Sequence, residues 1–225
     1  MKKLFFSAIA LLLIVGSASA QYYRGPRPRA RRYVKETKTY DNNFRPAFVL
    51  IGGMNIADII QSGNINFRTQ SKLGVNVGAG FDLPVSYPLS ITVEGVYSQK
   101  GYTAITSYGQ YKQRTEFIDI PVLFKFHVVP GFNVLLGPQA SFLLSTTNTY
   151  DNGFSQVNQT YYNEINHGYN KVLIGAVGGV SFDLNRNVEL RGRYVYDINR
   201  NNENGDAYVP AYRNSVFQVG LGIKF

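Results

Sequence analysis

The stretch KLGVNVGAGFDL, Lys72 to Leu83, decides the fold. Odd positions hold Leu73, Val75, Val77, Ala79, Phe81 and Leu83; even positions hold Lys72, Gly74, Asn76, Gly78, Gly80 and Asp82. Successive side chains of an extended chain point to opposite sides, so a period of two marks a strand with one apolar face and one polar or small face.

The alternation recurs along the chain. Leu89, Ile91, Val93 and Tyr97 oppose Ser90, Thr92, Glu94 and Ser98. Ile118, Ile120, Val122, Phe124 and Phe126 oppose Asp119, Lys125 and His127. Phe132, Val134, Leu136, Ala140, Phe142 and Leu144 oppose Asn133, Gly137, Gln139 and Ser141. Val172, Ile174, Ala176, Val180 and Phe182 oppose Lys171, Gly175, Gly179 and Asp183, and Val188, Leu190, Tyr194, Tyr196 and Ile198 oppose Glu189, Arg191, Arg193 and Asp197. Phe217, Val219, Leu221, Ile223 and Phe225 oppose Gln218, Gly220, Gly222 and Lys224. The apolar run Arg45–Gly53, whose faces are ambiguous, brings the count to eight strands.

Tight connections at Pro84–Pro88, Val129–Gly131 and Asn185–Asn187 alternate with long ones at 54–70, 101–112, 146–170 and 200–213. Strict alternation puts every short turn at one end of an up-and-down barrel, the asymmetry of outer-membrane barrels. Hydrocarbon cannot satisfy an open sheet edge, so the sheet must close. The expected fold is all-β, an eight-stranded antiparallel up-and-down transmembrane β-barrel over 44–225. Its apolar faces meet outer-membrane lipid and its polar faces meet the lumen.

Composition agrees. Charged residues are 16% of the 225, below the ~25% usual in soluble domains, while Tyr, Phe and Gly number 17, 15 and 22. The absence of cysteine excludes a disulfide framework, a thiolate metal site and a lipidated cysteine anchor. Two histidines, His127 and His167, do not make a zinc site, and no cofactor or metal ligand set is expected. Residues 1–20 carry Lys2 and Lys3, an apolar run from Leu4 to Val15 and Ala18-Ser19-Ala20, which reads as a secretory signal peptide cleaved after Ala20.

Residues 21–43 form a separate, basic arm. Arg24, Arg27, Arg29, Arg31, Arg32, Lys35 and Lys38 face only Glu36 and Asp41, a net +5, and Pro26 and Pro28 oppose regular structure. The arm is expected in the periplasm, where nucleic acid is not a partner. Attraction to anionic headgroups, docking to an acidic envelope partner and a solvated tail all fit its charge.

Several strands also carry recognisable words. EGVYSQKG (94–101), FIDIPVLFKF (117–126), GPQ (137–139), GGVSFDL (178–184) and the closing Phe217–Phe225 resemble, in order, motifs of the PorT-like outer-membrane β-barrel family, of OmpA/OmpX-like architecture. The resemblance covers the barrel and leaves out the arm. It implies a Gram-negative outer-membrane protein and, through the family's best-known member, an accessory role in protein secretion or envelope assembly. The aromatic Phe225 ending an alternating strand is the signal that the barrel-assembly machinery reads on such barrels.

The lumen set is Asp82, Glu94, Asp119, Lys125, Gln139, Lys171, Asp183, Glu189, Arg191, Arg193, Asp197 and Lys224, with six acids and five bases. Buried charges must be paired, and an eight-stranded interior is narrow enough for side chains to fill. The near balance reads as a salt-bridged plug; a selective pore would show one sign. No catalytic residue is expected. His127 reads as a hydrogen-bonded interior histidine, and His167, with Ser155 and Glu164 nearby in sequence, has no motif around it. A lipid-modifying enzyme is the alternative that residue types permit least. The segment 146–170 holds Tyr150, Phe154, Tyr161, Tyr162 and Tyr169 among Asn, Gln, Ser and Thr, so it reads either as a variable surface loop or as a binding surface. Tyr102, Tyr108, Tyr111, Tyr208 and Tyr212 flank the other long loops, in place for an outer aromatic girdle.

Overall fold

A computed structural model describes residues 44–61, 68–106, 109–151, 156–162, 170–201 and 211–225. The expected signal sequence (1–20), the expected basic arm and its cations, Tyr108, Phe154, Ser155, Glu164, His167, Tyr169 and Tyr208 lie outside them. The strands are β1 (Ala47–Gln61), β2 (Arg68–Ser86), β3 (Leu89–Thr106), β4 (Gly109–Val129), β5 (Phe132–Asp151), β6 (Gln156–Tyr162), β7 (Val172–Asp183), β8 (Val188–Asp197) and β9 (Tyr212–Lys224). All pairings are antiparallel. Each strand but β6 pairs with its chain neighbour in the order β1-β2-β3-β4-β5-β7-β8-β9, and β9 returns to β1 from Val49↔Lys224 to Gln61↔Tyr212. That closes a ring of eight and leaves no free edge at the level of the membrane. The ninth strand, β6, pairs with the upper part of β5.

The faces follow the alternation. Leu73, Val75, Val77, Phe81 and Leu83 point outward, Leu73 with 68% of its surface open, while Asn76 and Asp82 are buried. Ten residue steps from Leu83 to Leu73, at about 3.4 Å each and a tilt of about 40°, climb about 25 Å, the height of an outer-membrane apolar band. In β1, Ala47, Val49, Ile51, Asn55, Ala57 and Ile59 are buried, while Phe48, Leu50, Met54, Ile56 and Ile60 face outward, which settles the one ambiguous strand.

The outer connections are shorter than expected, because hairpins extend into them. β2, β3, β4 and β5 run 19, 18, 21 and 20 residues, about twice a membrane span, whereas β7, β8 and β9 run 12, 10 and 13. Much of 54–70, 101–112 and 146–170 is therefore strand, and β2 to β6 continue as a sheet above the barrel wall. Above the belt these segments mix polar residues with Tyr102, Ala104, Ile105 and Tyr111, so they lack the uninterrupted apolar alternation that marks a membrane strand. Two register shifts stand near the outer end of the belt: between Ser71 and Asn76 in β2, and at Leu144, the extra residue of β5 between Leu143↔Phe117 and Ser145↔Glu116. A bulge lets a strand leave one surface for another. Below Leu144, β5 pairs with β7 through Phe142↔Val172; above it, with β6 from Ser145↔Tyr162.

Candidate functional site

The interior of the barrel concentrates its unusual chemistry. Near the short-turn end, four acids and four bases form one network. The Lys125 ammonium lies 2.8 Å from Asp82 and 2.9 Å from Glu189. Glu189 also meets Lys224 at 2.9 Å and the Arg191 Nε at 2.5 Å, and Lys224 donates to Asp183 at 2.5 Å. Arg191 donates to Glu94 Oε1 at 2.7 Å, and Arg193 grips the same carboxylate with both terminal nitrogens at 2.6 Å. Two parallel bonds from one guanidinium hold a carboxylate more firmly than a point charge does. In the middle, Lys100 donates to Asp119 at 3.1 Å and to Ser141 at 3.2 Å, and rests 4.7 Å from the Phe117 ring centre. Asp197 accepts from Asn214 at 2.7 Å.

Long ions need room in so narrow a barrel, and glycines supply it. Glu94, Arg193 and Glu189 stand directly across from Gly80, Gly179 and Gly222. A Cβ on these glycines would lie 2.7, 2.9 and 2.8 Å from the Cγ of the ion opposite.

Of the expected lumen residues, the structure brings Asp82, Glu94, Asp119, Lys125, Gln139, Asp183, Glu189, Arg191, Arg193, Asp197 and Lys224 inside. Lys171 is not among them: it is exposed, one residue before β7 begins, where the chain has not yet entered the wall. Lys100 takes its place, so among the described residues the interior still holds six acids and five bases. Continuing the parity of Glu94 and Ser98 upward would have found it. Sequence reasoning also missed the apolar lumen positions Leu123, Leu135, Val177, Val195 and Val216, because apolar residues on both faces erase the alternation.

The outer mouth is covered by residues that the sequence places at an aromatic girdle. Tyr102 and Tyr212 are instead buried, their rings 5.3 Å apart, with Tyr111 6.0 Å from Tyr102. The Tyr212 hydroxyl donates to Gln113 Oε1 and accepts from Asn201, while Gln113 donates to Asn148 at 3.1 Å. Two of the interior voids, lined by Asn76, Gln218 and Arg193 among others, measure about 10 and 20 Å³, room for a single water each.

At the opposite end His127 shares a 2.9 Å hydrogen bond with Ser90, and its ring meets Phe44 edge-on at 5.3 Å. A serine beside a histidine can be a nucleophile and its base. Here both are buried, at 3% and 4% exposure, and the pair reads as an interior hydrogen bond. Phe225 lies at the end of β9, its N–H donating to the Phe48 carbonyl and its ring on the outer wall 6.3 Å from Phe48. No group of three or more His, Cys, Asp or Glu among the described residues could hold a metal.

A closed antiparallel ring, apolar outside and ion-paired inside, defines an integral outer-membrane β-barrel. The chain belongs to the outer membrane protein beta-barrel domain family, whose model matches residues 42–203. Among solved structures it is similar to Neisserial surface protein A (21% identity, 79% of this chain and 97% of that one, TM-score 0.48). It is also similar to the attachment invasion locus protein Ail of Yersinia pestis (10%, 80% and 98%, 0.46) and to OprG from Pseudomonas aeruginosa (13%, 80% and 95%, 0.38). A search of curated proteins found no match.

Proposed function

We propose that this protein is a non-enzymatic outer-membrane barrel with a closed lumen, serving a structural or binding role from its outer surface. The observation that carries the reading is the contrast between the two halves of the molecule. The interior is filled by paired ions beneath a hydrogen-bonded tyrosine cover, while β2 to β5 continue several residues past the belt with mostly polar side chains. An interior built this way supports an anchor rather than a passage, and the extended sheet is the part with access to partners.

The test is to cut the β3–β4 hairpin back, replacing Ala104–Lys112 with a two-residue turn, and compare surface crosslinking on intact cells. The trimmed protein should remain a heat-modifiable barrel and lose its outer-surface crosslinks. Unchanged crosslinks would reject the outer sheet as the working surface.

A further inference from the structure

Cations in the barrel wall are treated in two opposite ways. Inside, Lys100, Lys125, Arg191, Arg193 and Lys224 each have a carboxylate within 3.1 Å. At the upper rim of the apolar belt, Lys72, Lys112 and Arg114 have no such partner among the described residues. Lys72 donates to the Gln113 carbonyl at 3.2 Å. Reaching β4 from β2 means crossing β3, and at this level β3 offers Gly101, the residue paired with Arg114. Gly101 has φ +147°, and a Cβ there would stand 2.2 Å from the Gln113 carbonyl oxygen. The crossing is therefore reserved for a residue without a side chain. Lys112 and Arg114 share the parity of Ile118, Ile120 and Val122, so they extend the lipid-facing row of β4 above the belt.

The three charges are close enough to act on one another. Lys72 bonds the carbonyl of the residue that separates Lys112 from Arg114, so the three cations gather at one level of the wall. Three acids adjoin the cluster: Asp151, across from Gln110 beside Lys112, and two whose donors are Ser145, Ile59 and Ser71. Glu116, on the same row of β4, accepts from Ser145 at 3.0 Å; Asp58 accepts from the Ile59 N–H at 2.8 Å and from Ser71 at 3.3 Å. Like charges gathered at a low-dielectric boundary repel unless an anion joins them.

We infer that Lys72, Lys112 and Arg114 form a binding site for the phosphorylated headgroup of an outer-leaflet glycolipid. Its acyl chains would run down the wall over Leu73, Val75, Ile118 and Ile120; Leu73 follows Lys72 directly on β2, and on β4 Glu116 stands between Arg114 and Ile118. A doubly charged phosphate is the fitting occupant, since Arg114 and two ammonium groups can each donate to a different oxygen. An apolar wall below the cations selects a lipid over a free anion.

The experiment uses the full chain folded in zwitterionic detergent micelles, with the unfolding temperature as readout. Diphosphoryl lipid A should raise it by about 5 °C or more at saturation. Dephosphorylated lipid A and inorganic phosphate at equal phosphate concentration should raise it by less than half as much. The paired variant Lys112→Gln/Arg114→Gln and the single variant Lys72→Gln should fold and lose most of the shift, while Arg186→Gln, in a turn at the other end, should keep it. Equal protection by the dephosphorylated lipid, equal protection by inorganic phosphate, or an undiminished shift in the Lys112/Arg114 variant would each overturn the site.

Discussion

Gly80 lies directly across the β2–β3 pair from Glu94, and a methyl group on it would stand 2.7 Å from the Glu94 Cγ. The glycine is thus a space left for an ion, and Gly80→Ala should destabilise the barrel by about 1–3 kcal/mol, the usual cost of overpacking. Gly52→Ala is the control: it is exposed, and a Cβ there meets nothing within 4 Å. Urea unfolding of the refolded barrel in lipid vesicles checks both, and equal stabilities for the two variants would reject the role.

Glu94 is held by Arg191 and Arg193 together. Removing one partner of a buried pair strands the other charge, so Glu94→Leu should cost about 3–5 kcal/mol. Adding Arg193→Met to Glu94→Leu should cost less than the two single changes summed. A double-mutant cycle on unfolding free energy gives the coupling; additivity within error would mean that the contact contributes nothing.

Tyr212→Phe keeps the ring contact with Tyr102 but deletes the hydroxyl shared by Gln113 and Asn201. The expected loss is about 1–3 kcal/mol for buried groups deprived of that partner. It should appear as a lower temperature for conversion from the compact to the extended form on unboiled gels.

Much of the fold was legible because lipid outside and ions inside impose opposite demands on successive residues. Leu73 to Leu83 and Phe217 to Phe225 show that demand without interruption. Strand ends were less legible. Above the belt both faces of Gln113–Glu116 and Thr146–Tyr150 are polar, so the pairing there rests on register continued from below. Lys171 and Lys100 show the same limit in single residues: parity names the face, but only the strand's true start decides whether a residue is in the wall. Tyr102 and Tyr212 could not be placed, because a tyrosine suits a lipid interface and a capped lumen equally well.

The central claim is that the interior is an ion-paired plug. Conductance across planar bilayers tests it most directly, comparing the wild type with a variant that empties the floor of the network, Arg191→Ser/Arg193→Ser/Lys125→Ser. The wild type should show no stable current steps in 1 M salt, and any conductance should appear only in the variant. Steady, salt-proportional steps from the wild-type barrel would contradict the account.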